Sequence, residues 1–197
     1  VDVARLSEHD VRPCRGCFAC WVDGGGLCPQ GDDMAGLLAR YLEADALVLA
    51  TPVYFYSFSA LLKAFVERLF PVLSPLIDLP EERPLERNTP RFPGRGPARA
   101  VLIAAAAHRS RPLFDGLAAT FDAICHGLSI ERAGMLLRPE SFVLDFEEGK
   151  PVACGKVRAA FAAAGRELVA EGRVSPGTEA GAALPLTRDL DMFRGHA

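Results

Sequence analysis

Four of the six cysteines lie within one short stretch near the start of the chain. Their successive gaps are two, two and seven residues. The four are Cys14, Cys17, Cys20 and Cys28. Thiolates hold iron–sulfur clusters, and three closely spaced cysteines can bind one side of a cluster while a fourth closes it. Glycines among them let the backbone turn tightly, so we interpret residues 10–31 as a cysteine loop that binds a metal or a redox centre.

Two other roles for the cysteine loop remain open. Structural zinc sites usually pair two C-x2-C units across a longer gap, and three cysteines at successive short spacings fit that pattern less well. Alternatively, the four thiols line a buried loop without a metal, because free cysteine packs as a small apolar residue. Cys125 and Cys154 stand alone in or beside helix-like stretches, and we predict that they are packing or surface residues rather than ligands.

Strands and helices alternate along the rest of the chain and must position the cysteine loop. Apolar runs and period-two alternation predict strands at 1–6, 46–51, 99–107 and 130–137. Apolar residues at helical spacing predict helices at 34–42, 59–70, 112–127 and 156–171. Asp32 and Asp33 are expected to cap the first helix. This order predicts an α/β domain over 1–173, with a doubly wound parallel sheet and helices on both faces.

Two segments depart from this alternation. Residues 74–97 contain six prolines and many charges with little periodicity, which predicts a long surface excursion. Residues 174–197 are rich in glycine, proline and charge, which predicts an irregular tail.

The charge and hydropathy of the chain argue against two classes of partner. A formal net charge of -3 gives no electrostatic basis for binding nucleic acid. No apolar run reaches the roughly 18 residues of a membrane-spanning helix, and residues 1–12 lack the features of a signal peptide. We therefore expect a cytoplasmic protein that binds neither nucleic acid nor a membrane.

Two linked segments of the sequence resemble a known family. The segments are PCRGCFACWVDGGGLCPQGDDM and EADALVLATPVYFYSFSALLKAFVERL. They are similar to the flavodoxin-like NAD(P)H-dependent FMN reductases, and within these to the iron–sulfur flavoproteins. The resemblance is close over about 10–70 and extends loosely to about 140. It implies a flavodoxin-like fold, bound FMN and NAD(P)H as electron donor.

The resemblance also implies which residues bind the cofactors. The loop after the second predicted strand would contact the FMN isoalloxazine ring through Pro52, Val53, Tyr54, Phe55, Tyr56 and Ser57. A flavin ring suits aromatic and apolar walls at the carboxyl end of a parallel strand, although these aromatics could instead only seal the sheet edge. His108, after the next strand, would border the ring or the nicotinamide phosphates, or be a solvated loop residue. In iron–sulfur flavoproteins a compact cysteine motif binds a 4Fe-4S cluster, and the spacing in this loop is similar, with a somewhat longer last gap.

The start of the chain departs from the family pattern. Flavodoxin-like domains begin with a strand and a loop that holds the FMN phosphate at a helix N-terminus. This chain opens on what resembles the second strand of such a sheet, so we expect it to lack the first strand, the phosphate loop and the first helix. No phosphate-binding residues can then be assigned.

Three functions are compatible with these observations. The leading interpretation is an FMN-dependent oxidoreductase that passes electrons between flavin and a 4Fe-4S cluster, with no catalytic side chain required. The second is an NAD(P)H-dependent FMN or quinone reductase without a cluster. The third is a non-catalytic binding module with a zinc-bound or free cysteine loop. We expect a small-molecule or protein redox partner and a homodimer or higher homo-oligomer.

Overall fold

A three-stranded parallel sheet is the centre of the computed structural model, which describes residues 1–22, 25–81, 85–145 and 151–187. Its strands are β1 (Ala46–Pro52), β4 (Arg99–Ala105) and β5 (Glu131–Arg138), in the order β1-β4-β5. Both pairings are parallel, with Ala46 opposite Arg99 and Arg99 opposite Glu131. The predicted α/β class with a parallel sheet is confirmed.

Six α-helices lie within the described residues. They are α1 (Ala19–Val22), α2 (Met34–Glu43), α3 (Ala60–Glu67), α4 (Asp115–Gly127), α5 (Pro151–Glu171) and α6 (Pro176–Ala182). The helices predicted at 34–42, 59–70, 112–127 and 156–171 are confirmed as α2 to α5, with boundaries that differ by at most five residues. None of the helices in the described ranges is both long and apolar enough to cross a bilayer.

The central strand β4 is covered on both faces. Ala100, Leu102 and Ala104 belong to a core that includes apolar residues of α2, α3 and α4. Val101 belongs to a second core, which β5, α5 and α6 complete. Burial on both sides explains why this strand is a continuous apolar run in the sequence, and it confirms helices on both faces of the sheet.

The strand predicted at 1–6 is absent from the described residues, and that prediction was wrong. Residues 1–5 are irregular, and a short 3-10 helix follows at Leu6–Glu8. A strand requires a neighbour to bond its amides, whereas Val1 and Val3 are exposed. Alternation alone therefore misled the prediction. The segment is instead attached through its side chains, because the Asp2 carboxylate accepts hydrogen bonds of 2.6 Å from the Arg40 guanidinium of α2.

The excursion and the tail are both more regular than predicted. Within 74–97 the chain forms an antiparallel pair, β2 (Leu73–Asp78) and β3 (Arg87–Pro90), which has a register shift between Leu73 and Ile77. The tail contains α6, whose Ser175 caps the helix by accepting from the Thr178 amide at 3.3 Å. The prediction of an irregular tail is therefore wrong for α6. Residues 82–84 of the excursion and 188–197 of the tail lie outside the described residues.

A buried charged pair at the end of β5 secures the C-terminal segment. The Arg138 guanidinium donates to the carbonyls of Ala182 at 2.8 Å and Leu184 at 2.9 Å. The Glu140 carboxylate accepts from the Leu186 amide at 2.8 Å and from the Thr187 hydroxyl. Burial opposes ionisation of Glu140, but these hydrogen bonds hold its pKa below the ordinary value. The segment after α6 is thus fixed to the carboxyl end of the sheet.

Replacing Glu140 with Gln should destabilise the fold. The substitution leaves the buried Arg138 guanidinium without its carboxylate, a change that typically costs about 3 kcal/mol or more. Urea denaturation should show this loss of unfolding free energy. Glu171→Gln, at an exposed position at the end of α5, is the matched control and should change stability by less than about 0.5 kcal/mol. Equal effects of the two substitutions would contradict the structural role of Glu140.

Candidate functional site

The loop that follows β1 is a tight two-residue turn. The Tyr54 amide donates to the Ser57 carbonyl at 3.1 Å, and the Ser57 amide donates back to the Tyr54 carbonyl at 3.0 Å. The two central residues, Phe55 and Tyr56, have φ values of 46° and 63°. Turns of this kind require a positive φ at both central positions, and glycine or asparagine usually occupies them. We call residues 54–57 the aromatic turn.

The aromatic turn combines backbone strain with apolar exposure. A bulky residue with left-handed φ costs roughly 1–2 kcal/mol. The Phe55 side chain is 98% exposed, and those of Tyr54 and Tyr56 are each 63% exposed. Strained residues cluster at ligand sites, and exposed apolar groups mark binding surfaces. The turn is therefore a candidate wall for a flat ligand.

Two neighbouring elements fix the base of the aromatic turn. The hydroxyl of Thr51 in β1 accepts from the Ser59 amide at 3.1 Å, and Ser59 in turn caps α3. On the other side lies Gly116, in the first turn of α4, where an added Cβ would be 3.2 Å from the Tyr56 carbonyl oxygen. The turn is consequently held between the starts of two helices, close to the carboxyl end of β1.

The structure places His108 at the same edge of the sheet. Pro52 and Ala105 are partners at the carboxyl ends of β1 and β4, and the Val53 amide donates to the Ala105 carbonyl at 2.8 Å. The loops that follow these two strands therefore leave the sheet side by side. The His108 side chain is exposed, and its backbone carbonyl accepts from the Glu140 amide at 3.1 Å. The six predicted flavin-contacting residues and His108 thus share one sheet edge.

The four clustered cysteines are free thiols in one loop. Cys17 is exposed, and the other three are half-buried. Burial raises the pKa of Cys20, and the charges of Cys28, Cys14 and Cys17 raise it further. Within the described ranges, no three His, Cys, Asp or Glu side chains are arranged to hold a metal ion. The loop gathers the thiols without forming a complete metal site, and residues 23–24 of it lie outside the description.

A buried ion pair closes the cysteine loop. Arg68, directly after α3, binds both carboxylate oxygens of Asp32, with Nη1–Oδ2 at 2.6 Å and Nη2–Oδ1 at 2.9 Å. Arg68 Nη1 also donates to the Arg12 carbonyl at 2.8 Å. Arg12 precedes the first clustered cysteine and Asp32 follows the last. The guanidinium therefore joins the two ends of the loop, and its hydrogen bonds lower the pKa of Asp32 to about 2.

The sequence-based interpretation of the two aspartates as helix caps was incomplete. Asp32 does accept from the Met34 amide at 3.2 Å, at the start of α2. Asp33 occupies the N-cap position but makes no capping hydrogen bond with its side chain, which accepts from the Asp10 amide at 2.8 Å instead. The pairing of Asp32 with Arg68 was missed, because 36 residues separate the partners. The only available signal was an arginine at the end of an apolar helix.

The other side of the cysteine loop rests on an aromatic cluster and a second arginine. Trp21 Nε1 donates to the Phe70 carbonyl at 2.9 Å, and the centroids of the two rings are 5.3 Å apart. Phe18 completes the cluster, 5.3 Å from Trp21. Arg91, just after β3, donates to the Cys20 carbonyl at 3.3 Å. The excursion therefore supports the backbone that carries Cys20.

More than half of the chain matches the model of one protein family. Residues 1–116 match the model of the NADPH-dependent FMN reductases. The chain belongs to this family. The expected resemblance is therefore confirmed, and the loops after β1 and β4 lie within the matched residues.

Individual curated relatives match a shorter region. An iron–sulfur flavoprotein of Archaeoglobus fulgidus is 37% identical over 71 residues, covering 36% of this chain and 31% of that protein. Iron–sulfur flavoprotein MJ1083 of Methanocaldococcus jannaschii is 39% identical over 67 residues, 34% of each chain. A putative NAD(P)H-dependent FMN-containing oxidoreductase, YwqN of Bacillus subtilis, is 39% identical over 44 residues, 22% of this chain and 24% of that protein. The match thus spans about a third of the iron–sulfur flavoproteins.

Two solved structures are similar at lower identity. The Trp repressor binding protein of Bacillus subtilis is 23% identical with a TM-score of 0.39, covering 54% of this chain and 62% of that one. The apo form of the NADH:FMN oxidoreductase EMOB is 18% identical with a TM-score of 0.39, covering 65% of this chain and 55% of that one.

The Asp32–Arg68 pair predicts how stability changes in acid. The pKa of Asp32 lies near 2 in the folded state, against an ordinary value of 3.8. The Asp32 carboxylate therefore contributes fully to the free energy of unfolding above about pH 4. This contribution, about 2 kcal/mol, is lost as the pH falls through 2. In urea denaturation, Asp32→Asn should have a lower free energy of unfolding than wild type at pH 5, and most of this difference should disappear at pH 2. Asp33→Asn, half-exposed and without a buried cationic partner, is the control, and a disadvantage of Asp32→Asn that stayed constant with pH would contradict the prediction.

Proposed function

We propose that this chain forms the flavin-contacting region of an FMN-dependent oxidoreductase. The observation that carries the proposal is the aromatic turn, a strained pair of exposed aromatic residues at the carboxyl end of a parallel strand. Ligands of open α/β sheets bind at that edge. A flat apolar ring laid against Phe55 and Tyr56 would cover surface that the chain otherwise exposes to water. Membership of the NADPH-dependent FMN reductase family supports this assignment.

Each predicted contact has a role in this proposal. Pro52 and Val53 lead the chain from the sheet edge into the turn, and Tyr54, Phe55 and Tyr56 supply the wall of the site. Ser57 closes the turn through its backbone bonds to Tyr54. His108, on the adjoining loop, would donate to the flavin ring or to the phosphates of NAD(P)H. Bound FMN supplies the hydride chemistry, and these residues bind it, orient it and exclude water.

We further propose that Cys14, Cys17, Cys20 and Cys28 hold a 4Fe-4S cluster that exchanges electrons with the flavin. The donor set suits the group, since one loop carries four free thiols and such clusters take four thiolates. A buried Arg68 Nε without a hydrogen-bond acceptor among the described residues also lies in this region. It would favour a negatively charged group. The names of the iron–sulfur flavoproteins that match the chain are consistent with this proposal.

A reductase without a cluster is the second candidate. It is favoured by the finding that, in the described ranges, no three potential ligands are arranged to hold a metal. In that case the thiols would border the active-site mouth, and electrons would pass from NAD(P)H through FMN directly to the acceptor.

The setting of the proposed reaction follows from two further features. Six free cysteines suit a reducing compartment, which supports the cytoplasm as location. Leu76 and Ile77 of β2 are exposed apolar residues that a second copy of the chain would cover in a homodimer or larger homo-oligomer. The electron acceptor is then a small molecule or a redox protein that reaches the same sheet edge.

Relaxing the aromatic turn should separate stability from flavin binding. The double substitution Phe55→Asn and Tyr56→Gly installs residues that tolerate positive φ, so unfolding free energy should rise by about 1 kcal/mol. The same change removes the aromatic wall against which the flavin ring would lie. The Kd for FMN should therefore be at least about tenfold higher than in wild type, a difference of about 1.4 kcal/mol. Urea denaturation and quenching of FMN fluorescence measure the two effects. Val169→Ala, at an exposed apolar position on α5, is the control, and an unchanged FMN affinity in the double variant would overturn the proposed flavin site.

Metal content should distinguish the candidate functions. After anaerobic reconstitution we expect about four irons and four acid-labile sulfides per chain. Cys20→Ser should lose this iron, whereas Cys154→Ser should keep it, because Cys154 is buried in a separate core of α5. Flavin without iron would support the cluster-free reductase. Stoichiometric zinc without flavin would support a binding module and overturn both redox proposals.

A further inference from the structure

Backbone hydrogen bonds fasten the loop that follows β4 to the end of β5. The Ala106 amide donates to the Arg138 carbonyl, and the Ser141 amide donates to the Ala106 carbonyl, both at 2.9 Å. The Glu140 amide donates to the His108 carbonyl at 3.1 Å. Glu140 is fully buried and has a φ of 54°, a left-handed conformation that few residues other than glycine adopt. The backbone of Glu140 is therefore held against the loop that carries His108.

The Glu140 carboxylate lies between this loop and the C-terminal segment. On one side its Oε2 accepts from the amides of Leu186 at 2.8 Å and Thr187 at 3.4 Å, and its Oε1 accepts from the Thr187 hydroxyl. On the other side, the Nε of Arg109 lies 4.0 Å from Oε1. One buried carboxylate, fixed by the C-terminal segment, therefore pairs with an arginine of the loop after β4.

Arg109 uses only one of its three nitrogens in this pair. Its Nη1 and Nη2 make no hydrogen bond to any described residue, and 36% of the side chain is exposed. The parallel N–H groups of a guanidinium fit two oxygens of a phosphate at once. Arg111 adds a second positive charge to the same loop. The loop thus presents a guanidinium that is paired with a buried carboxylate and still has free donors for an anion.

We propose that Arg109 binds a phosphate of the nicotinamide dinucleotide that donates electrons, and that Glu140 is a positioning residue that holds this guanidinium by its Nε. The inference rests on the proposed function, because the dinucleotide is the donor only if the chain is a reductase. The loops after β1 and β4 leave the sheet side by side. A donor that reaches a flavin at the aromatic turn would therefore also lie near Arg109.

A purely structural role for Arg109 makes a different prediction. If its guanidinium only neutralised the buried Glu140, its removal would lower the free energy of unfolding and would weaken every ligand of this sheet edge alike. If it binds a phosphate of the donor, its removal would weaken the dinucleotide selectively and leave the affinity for FMN unchanged. The ratio of the two dissociation constants therefore separates the two roles.

The test is isothermal titration calorimetry of the full chain with NADP+, which binds as the donor does but cannot reduce a flavin. NADP+ is titrated once without FMN and once with saturating FMN, and FMN is titrated separately. The main variant is Arg109→Gln, and Arg109→Lys keeps the charge without the guanidinium. Arg111→Gln is the matched control, because Arg111 is an exposed arginine of the same loop with no ion-pair partner among the described residues.

We expect the Kd for NADP+ to be about tenfold higher in Arg109→Gln than in wild type. The increase should be about threefold in Arg109→Lys and less than about twofold in Arg111→Gln. The Kd for FMN should change less than about twofold in all three variants. An unchanged Kd for NADP+ in Arg109→Gln, an equal increase in Arg111→Gln, or an equal loss of affinity for FMN would overturn the inference.

Kinetics of the FMN-loaded protein provide a second measurement. Arg109 would hold the donor without touching the reacting atoms, so Arg109→Gln should raise the KM for NADPH about tenfold and change kcat less than about twofold. A fall in kcat at an unchanged KM would contradict a role in donor binding.

A double-mutant cycle tests the positioning role of Glu140. Glu140→Gln should raise the Kd for NADP+ about threefold in the wild-type background and should add no further loss in Arg109→Gln. An equal loss in both backgrounds would overturn the positioning role. If Glu140→Gln is too unstable to titrate, Thr187→Val takes its place with the same two expected results, because it keeps the carboxylate but removes the hydroxyl that binds Oε1.

Failure of this inference is distinguishable from failure of the proposed function. Wild-type protein that binds no FMN would overturn the proposed flavin site, whereas an affinity for NADP+ that depends on Arg109 would still be measured in the absence of FMN. Normal FMN binding, together with an affinity for NADP+ that is the same with and without Arg109, would overturn only the role of this residue.

Discussion

The candidate cysteine site depends on one buried ion pair, between Arg68 and Asp32. Burying two charges is costly unless every polar atom finds a partner. Asp32 meets this requirement, because its carboxylate accepts from the Arg68 guanidinium and from the amides of Arg12 and Met34. Against a well-packed apolar pair such an ion pair adds little net stability, but the loss of one partner is costly because it leaves the other charge buried and unpaired. The pair therefore holds the two ends of the cysteine loop together.

The aromatic turn depends on rigid neighbouring elements that hold it in a disfavoured conformation. Phe55 and Tyr56 hold a backbone conformation that their side chains disfavour. They can do so because Thr51, Ser59 and the start of α4 fix both ends of the turn. The buried strand β4, packed on both faces, provides the foundation for that frame. Local strain is thus concentrated at the sheet edge where ligands of this architecture bind.

Sequence patterns predicted the elements whose buried residues recur at regular spacing. Strand β4 and helices α2 to α5 have apolar residues at the spacing that their packing requires, so their positions were clear. Residues 1–6 alternate like a strand, but alternation cannot supply a hydrogen-bonding neighbour. The helix α6 was missed because glycine and proline make up three of its seven residues, although Pro176 and Ser175 suit a helix start.

The sequence suggested candidate site residues but not the geometry that surrounds them. The spacing of the cysteines and the run of aromatics after β1 singled out two loops, and their roles stay predictions. The pairing of Asp32 with Arg68 and of Glu140 with Thr187 joins residues 36 and 47 positions apart. Local patterns in the sequence do not predict such long-range contacts. The positive φ of Phe55 and Tyr56 was likewise hidden, because neither residue type favours it.

The outer edge of β1 has a consequence for the behaviour of the chain in solution. In the described sheet, β1 pairs with β4 on one side only, and its Val48 is 46% exposed. The strand is apolar, carries no charge and has its one proline at the end, at Pro52. An uncharged edge of this kind is a template for adding further strands. Concentrated samples of the isolated chain are therefore prone to edge-to-edge aggregation, and a lysine at position 48 is the simplest protection.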